Sequence, residues 1–153
     1  MAAAYAVLPE SDAVLEREIA GLIRRGELAD ARRRLESSAR RRPGDPLVEK
    51  LRGDVACARG EPAECVRRYR VALAKRPDLR DDRVLRANAR HLLRPSESCG
   101  TRRSAANLLG ELRDPEALAA LEESRRSAGV FAYFCTGDSI ERAIAATRAS
   151  APR

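Results

Sequence analysis

Apolar residues recur every three or four positions along most of this chain, the spacing at which helical side chains share one face. The pattern predicts four helices in the first half, the first near 12–25 and the second near 28–42. The third follows the capping pair Asp45-Pro46, and the fourth ends before Pro77. The side chains assigned to the buried faces are Val14, Leu15, Ile19, Leu22 and Ile23, then Leu28, Ala31, Leu35 and Ala39, then Leu47, Val48, Leu51, Val55 and Ala56, then Val66, Tyr69, Ala72 and Leu73.

The same features return after 34 residues. A glycine recurs where a turn between two helices favours left-handed backbone, and a small residue recurs where the paired helix approaches closely. A proline then ends the second helix of each unit. A 34-residue period of this kind predicts an all-α chain of helix-turn-helix repeats. The paired positions are Gly26 and Gly60, Ala31 and Cys65, Leu35 and Tyr69, Ser38 and Ala72, and Pro43 and Pro77.

This run of residues resembles the tetratricopeptide repeat, a family of helical solenoids whose members bind partner proteins. The resemblance covers residues 12–79, and Ile19 departs from it by standing where the second repeat has the small Gly53. It implies a right-handed solenoid in which the first helices of successive repeats line a concave groove for a peptide. Such a solenoid carries no chemistry of its own. The matching residues are Gly53, Gly60, Cys65, Tyr69, Ala72 and Pro77 in the second repeat and Gly26, Ala31, Leu35 and Pro43 in the first.

The second half of the chain departs from this period. A closing helix is predicted at 81–93, packed on the second repeat through Val84, Leu85, Leu92 and Leu93. Residues 101–127 then resemble a single HEAT-type hairpin, with one helix ending at Leu112 and another starting at Glu116 after a turn capped by Asp114.

Three of the five aromatic residues lie at 129–136, which is expected to be an extended, buried connector. Asp138 and Glu141 have capping-box spacing for a last helix at 138–149, with Ile140, Ala143, Ile144 and Thr147 inward. The expected organisation is a repeat region with its closing helix at 1–94, a linker at 95–100, and a HEAT-like cap at 101–150 packed on it as one continuous domain.

Composition fits a core of aliphatic side chains, because aromatic residues make up only 3% of the 153 residues. The net charge is +7, and all basic side chains except Lys50 and Lys75 are arginines or the one histidine. A GC-rich genome also produces such an arginine bias. No apolar run is long enough to cross a bilayer. The apolar residues 1–9 lack the positive flank of a signal peptide. They are interpreted as a frayed terminus or, alternatively, as the cut end of a longer apolar segment.

The residue types present favour neither an enzyme nor a metal site. His91 is the single histidine, and neither a C-x-x-C pair nor a glycine-rich phosphate loop occurs. We therefore predict no catalytic residues, no cofactor, no metal, and a monomeric cytoplasmic protein. Cys57 and Cys65 are interpreted as small buried side chains. Cys99 and Cys135 each precede a C-terminal helix, so a disulfide between them is an alternative to the packed free thiols that a reducing compartment favours.

A basic strip is one candidate binding surface. Its members keep the 34-residue register, so they are expected to stack on the convex face of the second helices and to attract an acidic partner. Coding bias explains the same residues equally well. Nucleic acid is a weaker partner, since no aromatic residues are interleaved with the arginines to stack on bases. The strip consists of Arg33, Arg34, Arg41, Arg67, Arg68 and Lys75.

The concave groove is the second candidate and is slightly preferred. Its mixed polar lining suits an extended peptide of both charge types. We therefore expect a noncatalytic protein-interaction module or adaptor. One alternative is the C-terminal regulatory segment of a bacterial serine/threonine kinase or other signalling enzyme, and a weaker one is an RNA or membrane-surface binder acting through the basic strip. The predicted groove residues are Arg17, Arg24, Lys50, Asp54, Asn88 and His91.

Overall fold

A computed structural model describes residues 10–150, and every regular element in that range is helical. The predicted all-α class is therefore confirmed for these residues. The apolar opening at 1–9 lies outside the described range, as do residues 151–153. The elements are α1 Asp12–Arg24, α2 Leu28–Arg41, α3 Pro46–Ala58, α4 Pro62–Lys75, a 3-10 segment Pro77–Asp81, α5 Arg83–His91, α6 Cys99–Leu112, α7 Ala117–Ala128, a 3-10 segment Gly129–Phe131, α8 Ala132–Thr136 and α9 Ser139–Ala149.

The turns between paired helices form where the 34-residue register predicts them. Gly26 and Gly60 both have left-handed backbone, with φ of 73° and 74°. Side chains with a Cβ adopt this conformation only at a cost, which explains why glycine stands at both turns. Helix α3 begins after Asp45, whose Oδ1 accepts hydrogen bonds from two backbone N–H groups of the first turn. Helices α2 and α4 each end two residues before a proline.

Tyr69 holds α3, α4 and α5 together. Its side chain is fully buried, as the register predicts. A Cβ built on Gly53 would lie 2.5 Å from Tyr69 Cε1, so glycine is what allows α3 to approach the ring. The prediction that Gly53 permits close helix approach is therefore confirmed. Tyr69 also reaches the closing helix, because its hydroxyl accepts a hydrogen bond from Asn88 of α5.

Buried apolar side chains form two clusters that meet within α3. The first joins α1 and α2 to the N-terminal part of α3 and ends at Val55. The second begins at Ala56 and continues through α4 and α5 into α6, α7 and α9. Residues 95–100 therefore do not interrupt the core, and α6 already begins at Cys99 inside the expected linker.

Two valines assigned to the buried faces lie half exposed. Val14 is 48% exposed and Val84 49%, whereas the residues that follow them, Leu15 and Leu85, are fully buried. Neighbouring positions on a helix point about 100° apart, so a narrow buried stripe accommodates only one of each pair. The apolar faces of α1 and α5 are therefore narrower than the sequence pattern suggests.

The connector at 129–136 is helical, contrary to expectation, and its bulky side chains are exposed although Cys135 and Thr136 are buried. Gly129 and Gly137, with φ of 54° and 60°, interrupt the helical backbone at the two ends of the connector. Only short helical segments form between them. The exposed side chains are Val130 at 86%, Phe131 at 70%, Tyr133 at 74% and Phe134 at 80%.

The capping box predicted for the last helix is absent. Asp138 makes no side-chain capping bond to α9 and pairs with Arg142 instead, at 3.0 Å. The inward face of α9 is nevertheless confirmed, because Ile140, Ala143, Ile144 and Thr147 are buried. Within residues 10–150, none of the helices combines the length and apolar character needed to cross a bilayer.

Candidate functional site

A buried polar network links α3, α4 and α5. Lys50 Nζ lies 2.8 Å from Asp54 Oδ2 and 3.1 Å from Asp82 Oδ1. The Tyr69 hydroxyl donates to Asp54 Oδ1 at 2.7 Å and accepts from Asn88 Nδ2 at 2.7 Å. Each ionic group thus has an opposite charge and at least one further hydrogen bond, the condition under which buried ion pairs persist.

The network corrects the predicted role of Lys50 and Asp54. The sequence assigns both to the groove surface, but their exposed fractions are only 3% and 5%. Helical spacing places both residues on the face of α3 predicted to line the groove. It could not show that α5 packs over that face. Asp82 is also the N-cap of α5, since its Oδ1 accepts from the backbone N–H of Leu85. Lys50 therefore anchors the start of α5 and is not free to meet a ligand.

Burial and the neighbouring charges set the protonation of this network. Burial raises the pKa of Asp54 to about 6, although Lys50 and Tyr69 both oppose the shift. Burial by itself would lower the pKa of Lys50, but Asp54 and Asp82 outweigh it, and that pKa is raised. Burial and the negative charge of Asp54 raise the pKa of Tyr69 well above its usual value. At neutral pH the Tyr69 hydroxyl is therefore protonated and donates to an ionised Asp54.

A cavity of about 370 Å³ opens on the other side of this network. It brings three predicted groove residues together: Asp54, Asn88 and His91. Arg17 and Arg24 lie elsewhere on α1, and Arg17 Nε donates to the backbone carbonyl of Ala13. The other lining residues come from α1, α3, α4, α5 and the segments next to them. They are Ile23, Cys57, Ala58, Gly60, Pro62, Val84, Leu92, Arg94 and Glu97.

The residues of the predicted basic strip are occupied by intramolecular contacts. Arg33 pairs with Asp30 and Arg67 with Glu64, each three residues away on its own helix. The other members bridge helices or turns, with Arg34 bound to Glu10 and Glu18, Arg41 to Glu10, Arg68 to Glu49 and Glu64, and Lys75 Nζ to the carbonyl of Gly44. These carboxylates neutralise much of the charge that an acidic partner would use.

A larger cleft, of about 530 Å³, lies between α2 and the α3–α4 pair. Its floor is apolar, but each arginine around it is bound to a carboxylate: Arg32 to Glu36, Arg52 to Glu49, Arg59 to Glu61, and Arg68 to Glu49 and Glu64. Each carboxylate there neutralises its arginine, so the cleft offers a ligand little uncompensated charge. The cavity beside Asn88 also contains a paired arginine, since Arg94 binds Glu97 and contacts His91 Nε2, but it holds the Asn88 amide, which bonds Tyr69 through only one of its N–H groups.

All four cysteines are bonded in disulfides. Cys57 is joined to Cys65, with Cα atoms 5.1 Å apart, and Cys99 to Cys135, with Cα atoms 4.8 Å apart. The interpretation of Cys57 and Cys65 as free buried side chains is therefore wrong, whereas the disulfide kept as an alternative for Cys99 and Cys135 is present. The sequence could have indicated the first disulfide, because Cys57 and Cys65 lie on either side of the Gly60 turn, on two helices that pack against each other. The second pair, 36 residues apart, is close only because α8 folds back onto α6.

Two further charged residues are buried by distant elements: Asp114, which the sequence identifies only as a turn cap, and Arg102, which it does not single out. Asp114 is fully buried and binds Arg90 of α5 at 2.5 Å. Its Oδ1 also accepts from the N–H of Glu116, so it shapes the turn, although α7 itself begins at Ala117. Arg102 of α6 is only 7% exposed and donates to Ser124 of α7.

Residues 10–150 contain no group of three or more side chains placed to hold a metal ion. No protein-family model, curated protein or solved structure shows significant similarity to this chain.

Proposed function

We propose that this chain is a noncatalytic protein-interaction module that binds a peptide segment of a partner in the groove between α1, α3 and α5. The architecture proposed with it is a right-handed solenoid of two tetratricopeptide-like hairpins and a closing helix, completed by a HEAT-like hairpin and the last helix. The observation that carries the proposal is the 370 Å³ cavity, because it opens between α1, α3 and α5 and gathers Asp54, Asn88 and His91.

The chemistry of the cavity suits an extended peptide. Ile23 and Val84 offer apolar surface to one or two side chains. The Asn88 amide uses one N–H to bind Tyr69, so its second N–H and its carbonyl oxygen are available to a ligand. A donor and an acceptor on one planar group match the N–H and C=O of a peptide backbone.

The buried network supports the same function by fixing the position of Asn88. Tyr69 orients the amide, Asp54 orients the Tyr69 hydroxyl, and Lys50 holds Asp54. A preorganised polar group binds with a smaller loss of side-chain entropy than a mobile one. Lys50 and Asp54 therefore serve the groove as positioning residues, whereas Asn88, Ile23 and Val84 form its contact surface together with His91, whose Nε2 contacts Arg94.

A second candidate is a regulatory segment of a larger signalling enzyme, such as a bacterial serine/threonine kinase. The two disulfides favour it over a free cytoplasmic adaptor, because disulfides persist in oxidising compartments and are rare in the cytosol. We therefore propose an oxidising compartment in place of the expected cytoplasmic one. Alkylation of the protein in its native host without prior reduction, read by intact mass, distinguishes bonded from free cysteines.

The binding function is tested with peptides selected from a random library displayed on phage, using the oxidised protein as bait. The chain offers a matched pair of variants, because Val84 lines the groove and Val14 does not, while both are about half exposed. Val84→Glu should weaken the selected peptides at least about tenfold, and Val14→Glu should change affinity by less than about twofold. Equal effects of the two variants, or no enriched peptide at all, would contradict the proposal.

A further inference from the structure

We propose that the Cys99–Cys135 disulfide is a site of thiol–disulfide exchange, with exposed Cys99 as the sulfur that an external thiol attacks. The two sulfurs differ in access. Cys99 is exposed in the first turn of α6, whereas Cys135 of α8 is only 8% exposed. An incoming thiolate therefore reaches Cys99, and Cys135 becomes the leaving group.

The feature that points to this chemistry is Arg102. Its side chain is more than nine-tenths buried, and Nη1 lies 3.8 Å from Cys135 Sγ. Nη2 donates to the carbonyl and the hydroxyl of Ser124, at 3.1 and 2.9 Å. Nε has no acceptor, and within the described residues no carboxylate pairs with this guanidinium. A buried cation held only by neutral groups is unfavourable unless an anion compensates it.

Reduction of the disulfide supplies that anion. A Cys135 thiolate would form next to Arg102, and a charge-assisted contact would replace the present contact between the guanidinium and a neutral sulfur. The Cys99 thiolate is stabilised as well, because it lies at the N-terminus of α6, where the helix dipole favours a negative charge. The neighbouring Arg103 holds the carbonyl of Cys135 at 2.9 Å and so keeps the leaving sulfur in place. Stabilising the dithiolate makes a disulfide easier to reduce.

The reaction balances with a low-molecular-weight thiol as the reductant. A thiolate RS⁻ attacks Cys99 Sγ, forming a Cys99–S–S–R bond while the bond to Cys135 breaks and its electron pair remains on Cys135. A second RS⁻ attacks the sulfur of R, releasing RSSR and the Cys99 thiolate. In total two thiols are oxidised to one disulfide, and one protein disulfide is reduced by two electrons.

The other disulfide is a built-in control. Cys65 is fully buried, Cys57 is partly buried, and among the described residues no hydrogen-bond donor contacts either sulfur. Cys57 is the more accessible sulfur of this pair, but it is less exposed than Cys99, and no buried cation stabilises either thiolate among the described residues. The two disulfides of one molecule should therefore respond differently to the same thiol.

The experiment titrates the full chain in glutathione buffers of increasing reducing strength, followed by acid quenching, alkylation and peptide mass spectrometry. Cys99–Cys135 should become half reduced under conditions at least about tenfold less reducing than Cys57–Cys65 requires. Arg102→Met should shift the Cys99–Cys135 midpoint about tenfold or more towards reducing conditions and leave the other midpoint within about twofold. Coincident midpoints in the wild type, or an unchanged midpoint in Arg102→Met, would overturn the proposal.

A trapping measurement tests the assignment of Cys99 without altering Arg102. With oxidised glutathione as the probe, Cys135→Ser should form a mixed disulfide at Cys99 at least about tenfold faster than Cys99→Ser forms one at Cys135. Circular dichroism checks that both variants are folded. Equal rates, or faster reaction at Cys135, would show that access does not distinguish the two sulfurs and that the proposed direction of attack is wrong.

Discussion

Truncation of Tyr69 tests the packing on which the groove depends. The ring is fully buried, and Gly53 lies against it so closely that no side chain would fit between them. Replacing Tyr69 by alanine removes the ring and leaves a cavity between α3, α4 and α5. Large-to-small changes of buried aromatic residues cost about 3–5 kcal/mol of the free energy of unfolding. We expect Tyr69→Ala to fall in that range.

Tyr69→Phe distinguishes the contribution of the hydroxyl to stability from that of the ring. It keeps the packing against Gly53 but removes the donor to Asp54 and the acceptor for Asn88. A buried polar group left without a partner costs about 1–3 kcal/mol, so this variant should lose that amount. The same change also removes a hydrogen bond that lowers the pKa of Asp54, and it should therefore raise that pKa further.

Urea unfolding of the oxidised protein, followed by circular dichroism, gives the free energies. Tyr133→Phe is the matched control, because that tyrosine is 74% exposed and its variant should change stability by less than about 0.5 kcal/mol. If Tyr69→Ala cost less than about 1 kcal/mol, Tyr69 would not be the buried contact described above. If Tyr69→Phe matched Tyr133→Phe, the hydroxyl network would not contribute to stability.

Three further predictions concern charged groups. Asp114→Ala should cost about 1–3 kcal/mol in the same unfolding assay, because it removes a buried carboxylate that binds Arg90 and caps the turn, although Glu116 still pairs with Arg90, and a loss below about 0.5 kcal/mol would contradict this. A carboxyl pKa raised on folding means that the folded state binds the proton more tightly, so Asp54 should add stability as the pH falls from about 7 to about 4. Because folding raises the Asp54 pKa from 3.8 to about 6, the free energy of unfolding of the wild type should increase by roughly 2–3 kcal/mol over that range relative to that of Asp54→Asn. Parallel curves of unfolding free energy against pH for the two proteins would refute this. Reversal of two exposed strip residues, Arg33→Glu with Arg67→Glu, should leave the affinity for groove-selected peptides within about twofold at low and high salt, measured by fluorescence polarisation. A large loss at low salt alone would assign binding to the strip.

Much of the first half of the fold follows from the sequence, because its determinants are local. A glycine with φ near 74° marks each turn, and Asp45 caps the helix that follows it. The 34-residue register also identifies Tyr69 as a buried residue and Gly53 as the position beside it. In each case one residue type is required by backbone geometry or by close packing, and such requirements are visible in a single sequence.

The groove could be predicted only in part, because burial by a third helix is not a local property. Asn88 and His91 line the cavity as expected. Lys50 and Asp54 share their helical face, but α5 covers them and turns them into an internal ion pair. From one sequence, a charged residue on a helix is predicted to be exposed, because the sequence does not show which other helix packs over it.

For a related reason the sequence leaves the Cys99–Cys135 disulfide open and wrongly predicts a buried aromatic connector. Whether Cys99 and Cys135 bond depends on a Cα separation that their 36 intervening residues do not determine. The connector was expected to be buried because aromatic residues usually are. Between Gly129 and Gly137 only five residues form α8, and so short a turn buries Cys135 and Thr136 while the bulkier side chains remain exposed.

The most direct test of peptide binding in the groove is a solution NMR map of the oxidised protein with a selected peptide. If the peptide binds in the groove, the backbone amides with the largest chemical-shift changes will cluster around Ile23, Asp54, Val84, Asn88 and His91. Small changes are expected at the basic-strip arginines of α2 and α4 and at the exposed aromatic residues 131, 133 and 134. Shifts concentrated on either of those surfaces, with the groove amides unchanged, would contradict the central claim.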